Sequence, residues 1–317
     1  MSPVLHNQGV CYMILLLTSS WTGTADDLSY IFEQRKIPFF RFNTDMYDQY
    51  QFSWENDEFK IIDPLGRVCN SRDVSICVMY KCILWPPHMR QKFDKVKDPL
   101  YVTYILNELC GCIANWAMDR KLLRLWHPIE YAYPKTRQME IAKKFFSVPE
   151  FSIHWGFFLP EKRVIAKQLI QRSLDDGSLP YADAVDRSVL DPAYPWLTQD
   201  IADGNRDATV LYINGNVHCF QFATERGELN DWRITQGTER NKWTSWNAGV
   251  DFENKVCSCM RELGLKFGRF DFIIGGKEPQ FLEVNARGQF GWLDDEKLSL
   301  NNEVVDAILD PSSTITL

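Results

Sequence analysis

The sequence predicts a mixed α/β (α+β) fold built from connected lobes, and three observations carry that expectation. An apolar run, a helical repeat and a second apolar run follow one another near the N-terminus; a long helical pattern comes next; and hairpins centred on strong turn formers fill the second half. A chain of 317 residues is long enough for two or three packed domains. Apolar residues make up 45% and aromatics 14%, ample for cores, and 24% charged residues is not the composition of a disordered chain.

The elements follow in order. The run Cys11–Leu17 is too short to cross a bilayer and no Lys or Arg precedes it, so it reads as a buried first strand and not as a signal or membrane segment. A helix repeating on Leu28, Ile31 and Phe32 leads to a second strand in PFFRFNT. Gln51–Trp54 and Glu58–Ile62 flank a turn at Glu55-Asn56-Asp57, and Val74–Leu84 is a buried strand stopped by Trp85-Pro86-Pro87. Pro99–Trp116 is a long helix, closing an N-terminal α/β lobe over residues 1–126 with a boundary near Trp126-His127-Pro128. A central segment, 127–200, contains a helix at Lys135–Phe146, a strand at Val164–Leu169 and an Asp/Gly/Ser-rich loop at Gln171–Ala184. The remainder, 201–317, holds strands at Ala208–Ile213 and Val217–Phe222 around Asn214-Gly215-Asn216, a helix at Asp251–Leu263 closed by Gly264, a last hairpin and a helix at Asn302–Leu309.

Composition narrows function. A net charge of −7 argues against a nucleic-acid binder that neutralises phosphates, and no stretch reaches transmembrane length, so neither nucleic acid nor membrane is an expected partner. Nine scattered cysteines fit reduced thiols of a cytoplasmic protein. The pairs Cys110/Cys112 and Cys257/Cys259 lie in helical patterns where i and i+2 diverge, with no further ligand nearby, so they read as buried structural cysteines and not zinc ligands. The five histidines show no metal spacing; His218, inside a strand, reads as structural.

The hairpin Gly268–Asn285 carries the chemistry. Centred on Lys277, it pairs Asp271 with Glu283, Phe272 with Leu282 and Phe270 with Val284. Alternation then gathers Phe270, Phe272, Leu282 and Val284 on one face, and Asp271, Glu283 and Asn285 on the other together with Ile273 and Phe281. Opposed carboxylates repel unless a cation lies between them, and magnesium takes hard oxygen ligands from one or two carboxylates plus phosphate. The alternative is a solvated polar face on an edge hairpin.

The run LGLKFGRFDFII…PQFLEVNARGQFGWLD resembles the C-terminal signature of ATP-grasp enzymes, and more narrowly the microviridin or graspetide maturases that crosslink ribosomally made peptides. The resemblance implies an ATP-grasp fold with an N-terminal pre-ATP-grasp lobe and a nucleotide cleft between central and C-terminal lobes. It implies Asp271, Glu283 and Asn285 as ligands of two magnesium ions on ATP. Gly288–Trp292 matches the family's ending, whereas Ala286 replaces its usual proline.

Other positions are matched through the same resemblance. Lys167 in VIAKQL and Lys135 in TRQMEIAKKFF correspond to nucleotide-binding lysines; from the residues alone, Lys167 reads equally as a lysine on a strand's wet face and Lys135 as a surface charge. The segment Trp196–Asp207 resembles the nucleotide hinge, with the backbone at Gln199, Asp200 and Ile201 at the adenine and Asp207 at the ribose. Asp231-Trp232-Arg233 resembles an Asp-x-Arg element acting on phosphate or on acceptor groups, and otherwise reads as a surface ion pair. The family's Arg on the strand after the hinge is replaced by Thr209, for which Arg206 is the nearest substitute, and Lys81 stands where relatives tend to have an Arg pair.

The function implied is an ATP-dependent ligase that activates Asp or Glu side chains of a precursor peptide and joins them to Ser, Thr or Lys. A leader segment would dock near Lys135–Arg163, and homodimers are frequent in the family. Two other readings stay open: a ligase joining a free amino acid or small amine to a carboxylate, and a nucleotide-binding module without ligase activity.

Overall fold

A computed structural model describes residues 13–82, 99–128, 134–156, 162–168, 184–223, 225 and 243–316. It divides into two compact units, residues 1–129 with 294–317, and residues 130–293.

In the first unit, β1 (Met13–Thr18), helix α1 (Gly23–Gln34) and β2 (Phe39–Asn43) form a parallel crossover. Strands β3 (Gln51–Glu55), β4 (Glu58–Ile62) and β5 (Val68–Asn70) make an antiparallel sheet, and β6 (Val74–Met79) returns beside β1 to give the parallel order β2-β1-β6. The strand β1 is buried from Ile14 to Thr18, as a central parallel strand covered on both faces must be. Helix α1 buries Ala25, Leu28, Ile31 and Phe32. Helix α2 (Pro99–Asp119) sets Ile113, Ala114, Trp116 and Ala117 into a core with Leu15, Phe42, Phe59 and Cys77, and the Trp116 ring meets Phe59 edge-on at 4.9 Å. The terminal helix Ser299–Leu309 belongs to the same unit, where Arg35 of α1 pairs with Asp306 at 2.5 Å.

The differences from expectation have local causes. The strand expected to run on to Leu84 stops at Met79, and Lys81 takes a left-handed φ of 49°; residues 83–84 lie outside the described ones. Helix α2 runs past Trp116 to Asp119, and Lys121 at φ 55° ends it. The short β5 had no hydrophobic run to announce it. It follows a turn closed by Asp63, whose Oδ1 accepts from the backbone N–H groups of Leu65 and Arg67 and whose Oδ2 accepts from Arg67 Nε at 2.6 Å. Burial alone would raise the Asp63 carboxyl, but Arg67 outweighs it and holds the group below its ordinary value of 3.8. Because the folded pKa is depressed, the stabilisation is present above that ordinary value and is lost as pH falls below it. Asp63→Asn is therefore expected to cost about 2 kcal/mol at neutral pH and to flatten the acid limb of the stability curve, measured by urea denaturation from pH 7 downward.

All eight described cysteines are free. Of the two pairs, Cys110 and Cys259 are buried as expected, but Cys257 is only partly buried and Cys112 is exposed, because two residues on from Cys110 the helix has turned to its outer face. Burial pushes Cys259 up to about 12, so a thiol reagent near neutral pH is expected to label Cys112 well before Cys259, as peptide mapping would show. Among the described residues, no helix is long and apolar enough to cross a membrane.

The second unit holds two antiparallel sheets. Helix α3 (Lys135–Ala142) precedes β7 (Phe151–His154), β8 (Arg163–Gln168), β9 (Ala184–Asp186) and β10 (Trp196–Gln199), which pair in the order β7-β10-β8-β9. Strands β11 (Gly204–Ile213), β12 (Asn216–Phe222) and β13 (Trp243–Ser245), helix α4 (Val250–Leu263), and strands β14 (Phe267–Gly275) and β15 (Gln280–Asn285) follow. The sheet order is β13-β12-β11-β14-β15. Helix α3 is shorter than expected: after Ala142 the chain tightens into a turn in which the N–H groups of Phe145 and Phe146 both reach the Ala142 carbonyl. That turn delivers Phe146 into a core with Phe252, Phe270, Phe272 and Phe281. The loop expected at 171–184 lies outside the described residues up to 183.

The β14–β15 hairpin departs from ideal pairing at one place. Arg269 faces Asn285, Phe270 faces Val284 and Asp271 faces Glu283, but Phe272 faces Phe281 and not Leu282. Leu282 is the extra residue of a β-bulge. The bulge moves Phe281 off the carboxylate face, where regular alternation had put it, and onto the apolar face. There it is fully buried, its ring stacked at 11° on that of Phe146 with centroids 6.3 Å apart. Leu282 correspondingly leaves the core face and is only half-buried.

Candidate active site

Three adjacent strands build the site. Thr209 on β11 lies opposite Asp271 on β14, which lies opposite Glu283 on β15. Asn285 Nδ2 donates to Asp271 Oδ2 at 3.1 Å and to Glu283 Oε1 at 3.4 Å, closing the gap between the carboxylates. Thr209 Oγ1 donates to the Phe270 carbonyl at 2.9 Å and lies 3.4 Å from Asp271 Oδ1. Both acidic side chains are 23% exposed.

Cations surround this pair. Lys135, at the start of α3, donates to Glu283 Oε2 at 3.0 Å, and Lys167, 13% exposed on β8, lies 3.9 Å from the same oxygen. One turn along α3, Gln138 Oε1 accepts the backbone N–H of Val284 at 3.1 Å. The helix thus grips β15 by its backbone beside the carboxylate that Lys135 pairs. Burial would raise Glu283, but Lys135 and then Lys167 outweigh it and hold the carboxyl far below its usual range. Asp271 behaves oppositely: burial, with Glu283 opposite, raises it above its usual value, and Arg269 offsets only part of that.

Arg269 is the residue that sequence reading passed over. Its Nη2 donates to Asp271 Oδ2 at 3.1 Å, its Nη1 donates to the Gln289 carbonyl at 3.1 Å, and the guanidinium lies 5.0 Å from the centre of the Trp292 ring. The period-two rule that grouped Asp271 with Glu283 also places Arg269, two residues earlier, on that face. Arg206, the sequence-based substitute for an Arg at Thr209, does not take the part. It falls with Ala208 on the opposite side of β11 from Asp207 and Thr209, and its Nη2 lies 3.5 Å from Glu225.

The expected hinge is the crossing from one sheet to the other. Gln199 ends β10, buried, with Nε2 on Met139 Sδ at 3.3 Å. The Asp200 N–H bonds the Glu150 carbonyl, and both Asp200 carboxylate oxygens accept from Lys162 Nζ at 2.6 Å. Ile201 is exposed. Gly204 starts β11 at φ +149°, where a Cβ would stand 2.5 Å from the Ile274 carbonyl oxygen, so only glycine lets the chain enter the sheet there. Asp207 follows, buried, on the Thr209 side of the strand. Asp231 and Arg233 lie outside the described residues.

The donor set suits magnesium shared with phosphate. Among the described residues no three His, Cys, Asp or Glu side chains gather into an all-protein cage; two opposed carboxylates and one amide remain, the complement a metal needs when phosphates fill its other positions. Asn285 would present Oδ1 in place of Nδ2 by turning its amide over.

The chain has the ATP-grasp fold. It is similar over 96% of its length to a RiPP-associated ATP-grasp ligase of Chryseobacterium gregarium, in complex with ADP and a leader and core peptide. That match has a TM-score of 0.78, 17% identity and 100% of the other chain covered. It is similar over 94% to the macrocyclase MdnC of Microcystis aeruginosa MRC bound with precursor peptide MdnA, with a TM-score of 0.73, 17% identity and 99% of that chain covered. A more distant likeness, TM-score 0.53 at 8% identity, covers 95% of the chain and 97% of the D-alanine–D-alanine ligase of Bacillus anthracis complexed with ATP. No protein-family model and no curated protein matches the sequence.

Proposed function

We propose that the protein is a magnesium- and ATP-dependent ligase that activates Asp or Glu side chains of a ribosomally made precursor peptide and joins them to Ser, Thr or Lys of the same peptide. The observation that carries this reading is the opposed Asp271–Glu283 pair, ringed by Lys135, Lys167 and Arg269 on one face of a sheet whose neighbouring strand leaves the hinge. The fold shared with ligases whose structures hold ADP, leader and core peptide supports it.

A carboxylate resists nucleophiles because of its charge. In the proposed reaction its oxygen attacks the γ-phosphorus of ATP, the bond to ADP breaks, and an acyl phosphate results. The hydroxyl or amine then attacks the acyl carbon, phosphate leaves, and the nucleophile loses its proton. Asp271, Glu283 and Asn285 would hold two magnesium ions, which neutralise phosphate charge when bound. Lys135 and Lys167 fix Glu283 and leave cationic charge facing the phosphates. The backbone at Gln199, Asp200 and Ile201 meets the adenine edge, and Asp207 meets the ribose. Asp231 and Arg233 act near the acceptor, and a leader docks near 135–163. In this account residues 1–126 form the pre-ATP-grasp lobe, 127–200 the central subdomain and the remainder from 201 the metal-bearing subdomain, except that 294–317 return to the compact unit of residues 1–129.

The test is incubation with ATP, magnesium and candidate precursor peptides rich in Thr, Ser, Asp and Glu. Loss of one water per bond from a single peptide is the expected result. A gained mass would instead mark a ligase that adds a small amine, and nucleotide binding without any peptide product a binding module.

A further inference from the structure

We propose that Gln280 is a positioning residue for base recognition: it ties the end of the hinge to the strand that carries Glu283, and so sets the site's preference for adenine over guanine. This rests on the nucleotide reading above and deepens it.

The hinge is held at both ends. At its start the Asp200 N–H bonds the Glu150 carbonyl and the Asp200 carboxylate takes Lys162. At its end the Asp203 N–H donates to Gln280 Oε1 at 2.6 Å. A backbone N–H can only donate, so the amide of Gln280 must turn its oxygen to Asp203. Its Nε2 then donates to Ser147 Oγ at 3.4 Å, and the Ser147 carbonyl accepts the N–H of Phe281 at 2.9 Å. Gln280 is therefore a junction. Its backbone lies in β15, three residues before Glu283, and its side chain joins that strand to the hinge and to the turn after α3.

Shape fixes the same contact. The turn of the β14–β15 hairpin lies flush on the hinge with no room for side chains. A Cβ on Gly276 would stand 2.5 Å from the Asp203 carbonyl oxygen, and one on Gly275 would collide with Asn205 Oδ1. Between the two anchors only Ile201 and Ala202 are left, and Ile201 is exposed. Adenine and guanine differ in the donors and acceptors on their edges, so a backbone that reads them must keep its groups in register with the base. A hinge released at Asp203 still contacts a purine ring but loses that register. The carboxylates and cations that face the phosphates keep their own partners in either case.

Binding of two magnesium complexes, one of a non-hydrolysable ATP analogue and one of the matching GTP analogue, is measured by calorimetry. The unsubstituted protein is expected to favour the ATP analogue. Gln280→Met keeps the length of the side chain and removes its acceptor. It is expected to weaken the ATP analogue about fivefold, the scale of one neutral hydrogen bond, and the GTP analogue less than about twofold. Gln280→Glu keeps an oxygen for the Asp203 N–H and is expected to retain the preference. A merely structural glutamine would weaken both analogues equally in Gln280→Met. That result, an undiminished preference in Gln280→Met, or a lost preference in Gln280→Glu overturns the proposal. Equal binding of both analogues by the unsubstituted protein overturns it too and leaves the nucleotide reading standing. Binding of neither overturns the nucleotide reading, and this inference with it.

Discussion

Glu283→Gln is expected to lower ATP-dependent turnover by about three orders of magnitude, the scale of losing a preorganised charge at a site of phosphoryl transfer. The geometry explains why an amide is a poor substitute. Glu283 Oε2 takes a hydrogen bond from Lys135 at 3.0 Å and has Lys167 at 3.9 Å, while Oε1 faces Asn285. A neutral amide keeps the shape but turns one oxygen into a donor and leaves two lysines without their counter-charge. Two distinct losses then follow: the metal loses a carboxylate ligand, and the cations lose the anchor that orients them. Asp271→Asn is expected to fall by a similar factor, losing a metal ligand and the counter-charge of Arg269 at 3.1 Å, while Lys135 and Lys167 keep Glu283. Raising magnesium to high concentration should therefore restore part of the activity of Asp271→Asn and little of that of Glu283→Gln. Steady-state ADP release with peptide measures both. Activity within tenfold of the unsubstituted protein in Glu283→Gln would remove that residue from the site.

Phe281→Ala is expected to cost about 3–5 kcal/mol of stability, whereas Leu282→Ala costs less than about 1 kcal/mol. The contrast comes entirely from the bulge. Phe281 is fully buried against Phe146, Phe270 and Phe272, with centroid distances of 6.3, 5.9 and 5.8 Å. Truncating it opens a cavity among rings that cannot all collapse into it. Leu282, the extra residue, loses little. An unbulged hairpin would reverse the order, since Leu282 would then face Phe272 in the core. Urea denaturation of the two variants, with unchanged slope as the sign of an intact folded state, decides between the registers.

The same hairpin shows how far sequence reasoning reaches. Alternation on either side of a glycine-rich turn was enough to oppose Asp271 and Glu283, because both lie between the bulge and the open end of the ladder and keep the ideal sum of positions. It could not place Phe281, whose side is decided by a pocket that Phe146 opens from a turn 135 residues earlier. Charge partners behave likewise. That Lys135 pairs with Glu283, 148 positions away, is a fact of tertiary packing that a helix starting at a lysine does not announce. Arg269 was legible by the period-two rule, two residues before Asp271 on the same face, yet nothing in the sequence singles it out. Only its contacts with Asp271, Gln289 and Trp292 give it meaning. The N-terminal succession of strand, helix and strand was plain from hydrophobic runs, while the short strands β5, β7 and β10 carry three or four residues each and are set by their neighbours.

The central claim is that this face activates a carboxylate by phosphoryl transfer. Its most direct test uses a precursor peptide whose Asp and Glu side-chain carboxylates carry a heavy oxygen isotope, turned over with unlabelled ATP and magnesium in unlabelled water. Activation as an acyl phosphate predicts one labelled oxygen in the released phosphate for every crosslink formed. Crosslinked peptide accompanied by wholly unlabelled phosphate would contradict it.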